Sequence, residues 1–146
     1  MVAKGEPHPG YTDQADHVFS YALYPHPGDC IAGSVIQAGY EFNYPLRQVL
    51  MNSHGGERPG ETSYMTIESP NVIVEAVKKA EDGDAVVIRL YESQNASARA
   101  VINFGFPIQS AEEANLMEEP IQPLEISGNS VMLVFKPFEI KTLMVK

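Results

Sequence analysis

The sequence has one cysteine and no tryptophan among its 146 residues. The lone Cys30 excludes an internal disulfide, and because nothing else argues for an oxidising compartment, a cytoplasmic location is expected. Tryptophan offers the largest flat aromatic surface for stacking against a sugar, so its absence disfavours a sugar-binding module. Seven tyrosines could substitute for it. The candidates for such an aromatic surface are Tyr11, Tyr24, Tyr64 and Tyr91.

Basic residues and long apolar runs are also scarce. The chain has 10 lysines and arginines against 19 acidic residues, which gives a net charge of −9. This charge repels polyanions, and both nucleic acid and anionic membrane surfaces are therefore excluded as partners. No apolar run approaches the roughly 18–20 residues that a membrane-spanning helix needs. The N-terminus also lacks the apolar segment of a signal peptide.

Metal-ligating and nucleophilic residues do not follow the spacing of known sites. The four histidines are never two or four positions apart, and no CxxC motif is present. They are His8, His17, His26 and His54. Cys30 paired with a distant histidine remains an alternative, although a buried free thiol is the more common state. The glycines 55–56 lack the Lys-Ser/Thr of a phosphate-binding loop.

The carboxylates that could act in catalysis occur as adjacent pairs. These are Glu81-Asp82, Glu112-Glu113 and Glu118-Glu119. Neighbouring residues on a strand point to opposite faces, so the members of a pair do not converge locally. A glycosidase needs two carboxyl groups about 5–9.5 Å apart across one bond. We therefore interpret these pairs as solvated surface charge, and we predict no catalytic, cofactor-binding or metal-binding residue in the chain.

Short alternating segments between Gly, Pro and Asn turns predict an all-β fold. The expected architecture is an antiparallel β-sandwich of about 8–10 short strands with at most one short helix, around 29–41. Asp29 is the expected N-cap of that helix. Residues 1–15 are expected to be an irregular leader, and 16–146 a single domain. Strands are predicted at 16–24, 46–51, 62–69, 99–107, about 124–127, 130–135 and 138–145, with 110–119 ambiguous.

The segment 71–92 combines a helical pattern in its first half with a strand pattern in its second. Register favours a β-hairpin over a helix, because a three-residue loop at 81–83 places apolar residues opposite one another. In that loop Gly83 takes the left-handed conformation. The predicted register pairs Val74 with Leu90, Ile73 with Tyr91, Ala76 with Ile88, Lys78 with Val86, Val77 with Val87 and Glu75 with Arg89.

Three stretches resemble the last part of glycoside hydrolase family 38, the retaining, zinc-dependent α-mannosidases. They are YTDQADHVFSYALYPH at 11–26, SPNVIVEAVKKAEDGDAVVIRLYE at 69–92 and KPFEIKTLMVK at 136–146. Ala15 departs from the glycine expected there, which affects a local turn. The resemblance implies that the zinc ligands and the nucleophilic aspartate lie in an N-terminal α/β-barrel domain, and nothing in these 146 residues matches that domain.

The resemblance thus implies a fragment, the non-catalytic C-terminal β domain of an α-mannosidase. Its expected partner is the catalytic domain of the parent enzyme, and mannose-containing oligosaccharide is a possible ligand. An exposed apolar patch of roughly several hundred Å² is expected where that partner packs, with self-association through it. The alternatives are a stand-alone carbohydrate-binding module and a small enzyme that uses Cys30 or the histidines.

Overall fold

Every second residue of several short segments is buried, which is the pattern of strands in a sandwich. The structure, a computed structural model, describes residues 16–53, 55–57 and 59–146. The chain forms two compact units, Met1–Tyr44 and Pro45–Lys146. The first contains the helix α1 (Val35–Asn43). The second contains β1 (Met65–Ile67), β2 (Val72–Lys79), β3 (Val86–Glu92), β4 (Ala98–Phe104), β5 (Ala111–Ala114), β6 (Pro120–Pro123), β7 (Ile126–Ser127), β8 (Ser130–Phe135) and β9 (Ile140–Val145).

The nine strands of the described residues form two antiparallel sheets. One has the order β1-β4-β8-β7 and the other β2-β3-β9-β5-β6. Their facing sides share one core, in which Ile88, Leu90 and Leu143 of the second sheet meet Ile102 and Phe135 of the first. Each of these side chains is at most 1% exposed, and burying one contributes about 1.5–3 kcal/mol. The predicted antiparallel β-sandwich is confirmed.

The predicted hairpin is confirmed, but its register is correct only in part. Val74 lies opposite Leu90, as predicted, and Ile73 opposite Tyr91. A β-bulge between Val74 and Ala76 then shifts the remaining pairs by one residue, so Ala76 rather than Glu75 pairs with Arg89. The other three predicted pairs beyond the bulge are wrong for the same reason. A bulge sets two residues against one, and an alternation pattern alone does not reveal the extra residue.

The hairpin loop has four residues rather than the three predicted. The backbone N–H of Ala80 donates to the carbonyl oxygen of Ala85 at 2.9 Å, which closes the loop at 81–84. The added loop residue matches the added residue of the bulge, because both shift the pairing of β2 with β3 by one residue. Val77, beyond the bulge, lies opposite the core residue Ile88 but is itself 58% exposed. Gly83 has a φ of +84°, and its predicted left-handed conformation is confirmed.

The helix begins six residues later than predicted. Oδ1 of Asp29 accepts hydrogen bonds from the N–H groups of Ile31 at 3.1 Å and Ala32 at 2.8 Å, so Asp29 caps a turn rather than the helix. Ser34, with a φ of 51°, separates that turn from α1. No residue of α1 is buried, and no helix of the described residues is long and apolar enough to cross a membrane.

Two predicted strands are absent from the described residues. The segments 16–24 and 46–51 have no regular secondary structure, because no neighbouring strand pairs with them. Elsewhere, 62–69 shortens to β1, and the ambiguous 110–119 contains β5 rather than a helix. The strand expected at 124–127 is β7, and β6 before it was not predicted. The leader expected at 1–15 lies outside the described residues, and the single domain expected at 16–146 stays a prediction.

The left-handed conformation of Gly83 predicts the effect of Gly83→Ala. No heavy atom lies within 4 Å of the position that a Cβ would take there, so the cost is backbone strain alone. We expect a loss of about 1–2 kcal/mol in the free energy of unfolding, measured by urea denaturation. Gly60→Ala is the matched control, because its surroundings are equally open and its φ is not left-handed. Equal stability of the two variants would contradict the role of Gly83.

Candidate functional site

A groove on the outer face of the five-stranded sheet brings members of all three acidic pairs together. Its volume is about 370 Å³. Ala85 and Met144 line it, and both belong to a small apolar cluster with Val87. The charged residues that line it are Glu81, Asp82, Glu112, Glu118, Glu119 and Lys146. Glu113 instead contacts Lys141, so the members of this pair point to opposite faces, as predicted. The pairs therefore meet through the fold and not through sequence spacing.

Glu118 is the best-held carboxylate of the groove. Its side chain is 8% exposed, and it lies 2.7 Å from Nζ of Lys78 and 3.8 Å from Nη2 of Arg89. It also accepts the backbone N–H of Glu81 at 2.8 Å. Arg89 Nη2 donates to the carbonyl oxygen of Leu116 at 3.1 Å. The interpretation of Glu118 as solvated surface charge was wrong, because these contacts hold the 115–119 loop against the sheet.

The electrostatics of Glu118 suit an ion pair rather than proton transfer. The hydrogen bond from Lys78 and the N–H of Glu81 hold the pKa of Glu118 below its ordinary value. Glu118 and Glu81 in turn raise the pKa of Lys78. Both groups are thus charged at neutral pH. A general acid in a glycosidase needs the opposite, a carboxyl group whose pKa is raised.

A second ion pair lies at the inner face of the same sheet. Glu113 contacts Lys141 at 2.5 Å, with side chains 13% and 12% exposed, and accepts a hydrogen bond from Gln122 at 2.9 Å. Burial alone would raise the pKa of Glu113, but Lys141 and Gln122 outweigh it and lower that pKa. The pair joins β5, β6 and β9 near the edge of the sheet.

Glu92 is a fully buried carboxylate at the end of β3. It accepts hydrogen bonds from the backbone N–H of Phe138 at 2.9 Å, the N–H of Gln94 at 2.8 Å and the side-chain amide of Asn71 at 2.9 Å. Burial raises the pKa of Glu92, but these donors and the N–H of Ala96 outweigh it, and its pKa is lowered. One carboxylate thus joins three separate segments of the chain.

The histidines and the cysteine do not assemble into a site within the described residues. His17, His26 and Cys30 lie in the first unit, and His8 and His54 lie outside the described residues. Cys30 is exposed rather than buried. Among the described residues, no group of three or more His, Cys, Asp or Glu is placed to hold a metal ion.

The candidate aromatic surface for a sugar is divided between the two units. Tyr24, 54% exposed, stacks on His26 with ring centroids 5.9 Å apart in the first unit. Tyr64, 60% exposed, and the partly buried Tyr91 lie in the second, and Tyr11 lies outside the described residues. Sugar binding by this chain stays a prediction.

The comparisons with known proteins agree with this sandwich. The family model described as the glycosyl hydrolases family 38 C-terminal beta sandwich domain matches residues 71–143, half of the chain. The chain belongs to this family. The match runs from the residue before β2 into β9, and it covers every strand except β1 and most of the lining of the acidic groove. The resemblance expected from the motifs at 69–92 and 136–146 is confirmed.

The similar curated proteins are α-mannosidases of much greater length. Alpha-mannosidase 2C1 of Mus musculus is 33% identical over 139 residues, which cover 91% of this chain and 13% of that protein. Alpha-mannosidase 2C1 of Homo sapiens is 32% identical over 138 residues. Alpha-mannosidase G of Dictyostelium discoideum is 32% identical over 143 residues, 89% of this chain and 12% of that protein. The chain thus spans about an eighth of the length of these relatives.

The buried carboxylate predicts how acid affects stability. Because the folded pKa of Glu92 lies below the ordinary value of 4.5, its contribution is complete above that value and is lost as the pH falls through the folded pKa. At pH 7 we expect Glu92→Gln to lose about 1–3 kcal/mol of unfolding free energy, because buried N–H donors lose their acceptor.

Urea denaturation at low pH separates the contribution of the Glu92 charge from that of its packing. The difference in urea stability between the wild type and Glu92→Gln should narrow as the pH falls below about 4.5. Exposed Glu125→Gln is the control, and it should leave the stability at pH 7 nearly unchanged. If Glu92→Gln lowers the free energy of unfolding by the same amount at every pH, the charge has no structural role.

The ion pairs of Glu118 with Lys78 and Arg89 predict the behaviour of the 115–119 loop. Glu118→Gln keeps the size of the side chain and removes the charge that pairs with Lys78 and Arg89. We expect faster amide hydrogen exchange in this loop at neutral pH, while exchange in the core strands is unchanged. The wild type should show the same loosening only in acid, once Glu118 is protonated. Glu112→Gln, in the same groove, is the control. Equal exchange in both variants would show that the ion pairs of Glu118 do not hold the loop.

Proposed function

We propose that this chain is the non-catalytic C-terminal β-sandwich of an α-mannosidase polypeptide. Its role is to pack against a catalytic domain that hydrolyses α-mannosidic bonds with retention. Membership of the family supports the domain assignment, and the α-mannosidase names of the relatives support the reaction. Zinc is proposed for the catalytic domain, and no described residue of this chain is assigned to bind it.

One observation supports a structural rather than a catalytic role. The carboxyl groups of Glu92, Glu113 and Glu118 all have lowered pKa values, and in each case the protein's own donors cause the shift. Retaining glycosidases need one carboxyl group with a raised pKa and a second about 5–5.5 Å away. The strongly held carboxylates of this domain are instead kept ionised as anchors of loops and strands.

Exposed apolar side chains on the sandwich support a packing partner. Met132 and Val134 alternate along the outer face of β8 and are 50% and 55% exposed. Near β6, Met117 and Ile121 are 81% and 63% exposed. Such residues gain free energy when another surface removes them from water, at about 25 cal/mol per Å². The catalytic domain is the proposed partner for these surfaces.

A chimera tests this function. In mouse alpha-mannosidase 2C1, the 139 aligned residues are replaced by this chain, and a second variant lacks them. We expect the chimera to release p-nitrophenol from p-nitrophenyl α-mannoside with zinc present, and the deletion variant to be inactive or insoluble. The isolated chain should show no turnover. Hydrolysis by the isolated chain, or an inactive chimera, would contradict the proposal.

A further inference from the structure

The segment 16–24 has the side-chain pattern of a buried strand but is exposed in this chain. Phe19, Tyr21 and Leu23 alternate and are 79%, 85% and 94% exposed. The opposite face of an extended segment here carries Val18 and Tyr24, which are 97% and 54% exposed. A strand with apolar residues on both faces is typical of a sheet that is covered on both sides.

The segment 46–51 shows the same mismatch between sequence and exposure. Leu46 and Leu50 lie on the same face of an extended segment, and they are 98% and 102% exposed. On the other face, Val49 and Met51 are 78% and 71% exposed. Both segments lack regular secondary structure in the described residues. Each therefore has apolar faces that a neighbouring strand would bury, and no strand of the described residues pairs with it.

We propose that 16–24 and 46–51 are β-strands that pair with a sheet in the part of an α-mannosidase polypeptide outside this chain. This inference rests on the proposed function and specifies its contact: strand pairing in addition to side-chain packing. An exposed sheet edge with apolar side chains on both faces is the partner chemistry that these segments fit.

The sheet edges of the sandwich disfavour a second copy of the chain as that partner. The edge strand β6 begins and ends with proline, Pro120 and Pro123, which donate no backbone hydrogen bond. The edge strand β2 carries the bulge at Glu75. The edge strands of the other sheet, β1 and β7, have three and two residues. Prolines, bulges and short strands are the features by which sheets avoid pairing with another chain.

The relatives support a partner within the longer polypeptide. The alignment with mouse alpha-mannosidase 2C1 covers 91% of this chain and so includes most of the region 16–51. The family model of the sandwich begins at residue 71, so both segments lie before the sandwich domain. They belong to a region that the relatives share, in proteins of which this chain spans 13%.

Hydrogen–deuterium exchange on the isolated chain and on the chimera tests the inference. In the isolated chain, the amides of 16–24 and 46–51 should exchange at the rate of an unstructured peptide. In the chimera they should exchange at least about tenfold more slowly, since strand pairing protects amides. Strands β3 and β9 should be protected in both, which shows that the sandwich is folded in each sample.

Two variants separate strand pairing from the stability of the sandwich. Leu23→Asp and Leu50→Asp should leave the thermal midpoint of the isolated chain unchanged, because both side chains are exposed there. In the chimera they should lower the thermal midpoint and remove the protection of their own segment. Ser53→Asp, beside the second segment, is the matched control and should change neither protein. An effect on the isolated chain equal to that in the chimera would overturn the inference.

The outcomes distinguish this inference from the proposed function. An active chimera in which both segments exchange freely would overturn the strand pairing and leave the proposed function intact. Protection in the isolated chain that grows with its concentration would assign the segments to a second copy and also overturn it. If the chimera is insoluble, the remainder of mouse alpha-mannosidase 2C1 is co-expressed with this chain, and exchange is measured on the soluble mixture. Unchanged exchange in that mixture would likewise count against the pairing.

Discussion

The sandwich depends most on the buried carboxylate of Glu92. This group stands in the inner face of the five-stranded sheet, where Leu90 and Ile88 precede it at two-residue intervals, but it is fully buried and polar. An isolated carboxylate there would be very costly, so its presence requires the donors from Asn71, Gln94 and Phe138. Those donors in turn come from three loops, which are thereby fixed at one end of the sandwich.

A second constraint acts on the opposite face of the same sheet. Val87 and Thr142 point away from the main core, yet they are 0% and 2% exposed. The 115–119 loop lies on this side, held by the pairing of Glu118 with Lys78 and Arg89. The centre of the sheet is therefore covered on both faces, which explains why β3 is an almost continuous apolar run. The acidic groove is a consequence of this covering loop.

The sequence pattern could predict those elements whose partners lie nearby in the chain. The hairpin of β2 and β3 follows from its apolar register and from Gly83. The strands β4 and β8 follow from the apolar residues that occupy every second position of one face. Glu92 also lies in phase with Ile88 and Leu90, so its burial could have been read from the same alternation. The sequence could not predict the bulge at Glu75, because an alternation pattern does not reveal the extra residue. It could not predict the contact of Glu118 with Lys78 either, because only the fold brings these two residues together.

The two failed strand predictions have a different physical origin. In 16–24 and 46–51, as in β8, apolar residues occupy both faces of an extended segment, but this pattern only states which faces are apolar. A strand also needs a neighbour to accept and donate its backbone hydrogen bonds. The sandwich's own edges are blocked by Pro120 and Pro123, by a bulge and by short strands. The same features that disfavour pairing of this sandwich with another copy therefore support our proposal that the two strand-like segments pair with a sheet elsewhere in the polypeptide.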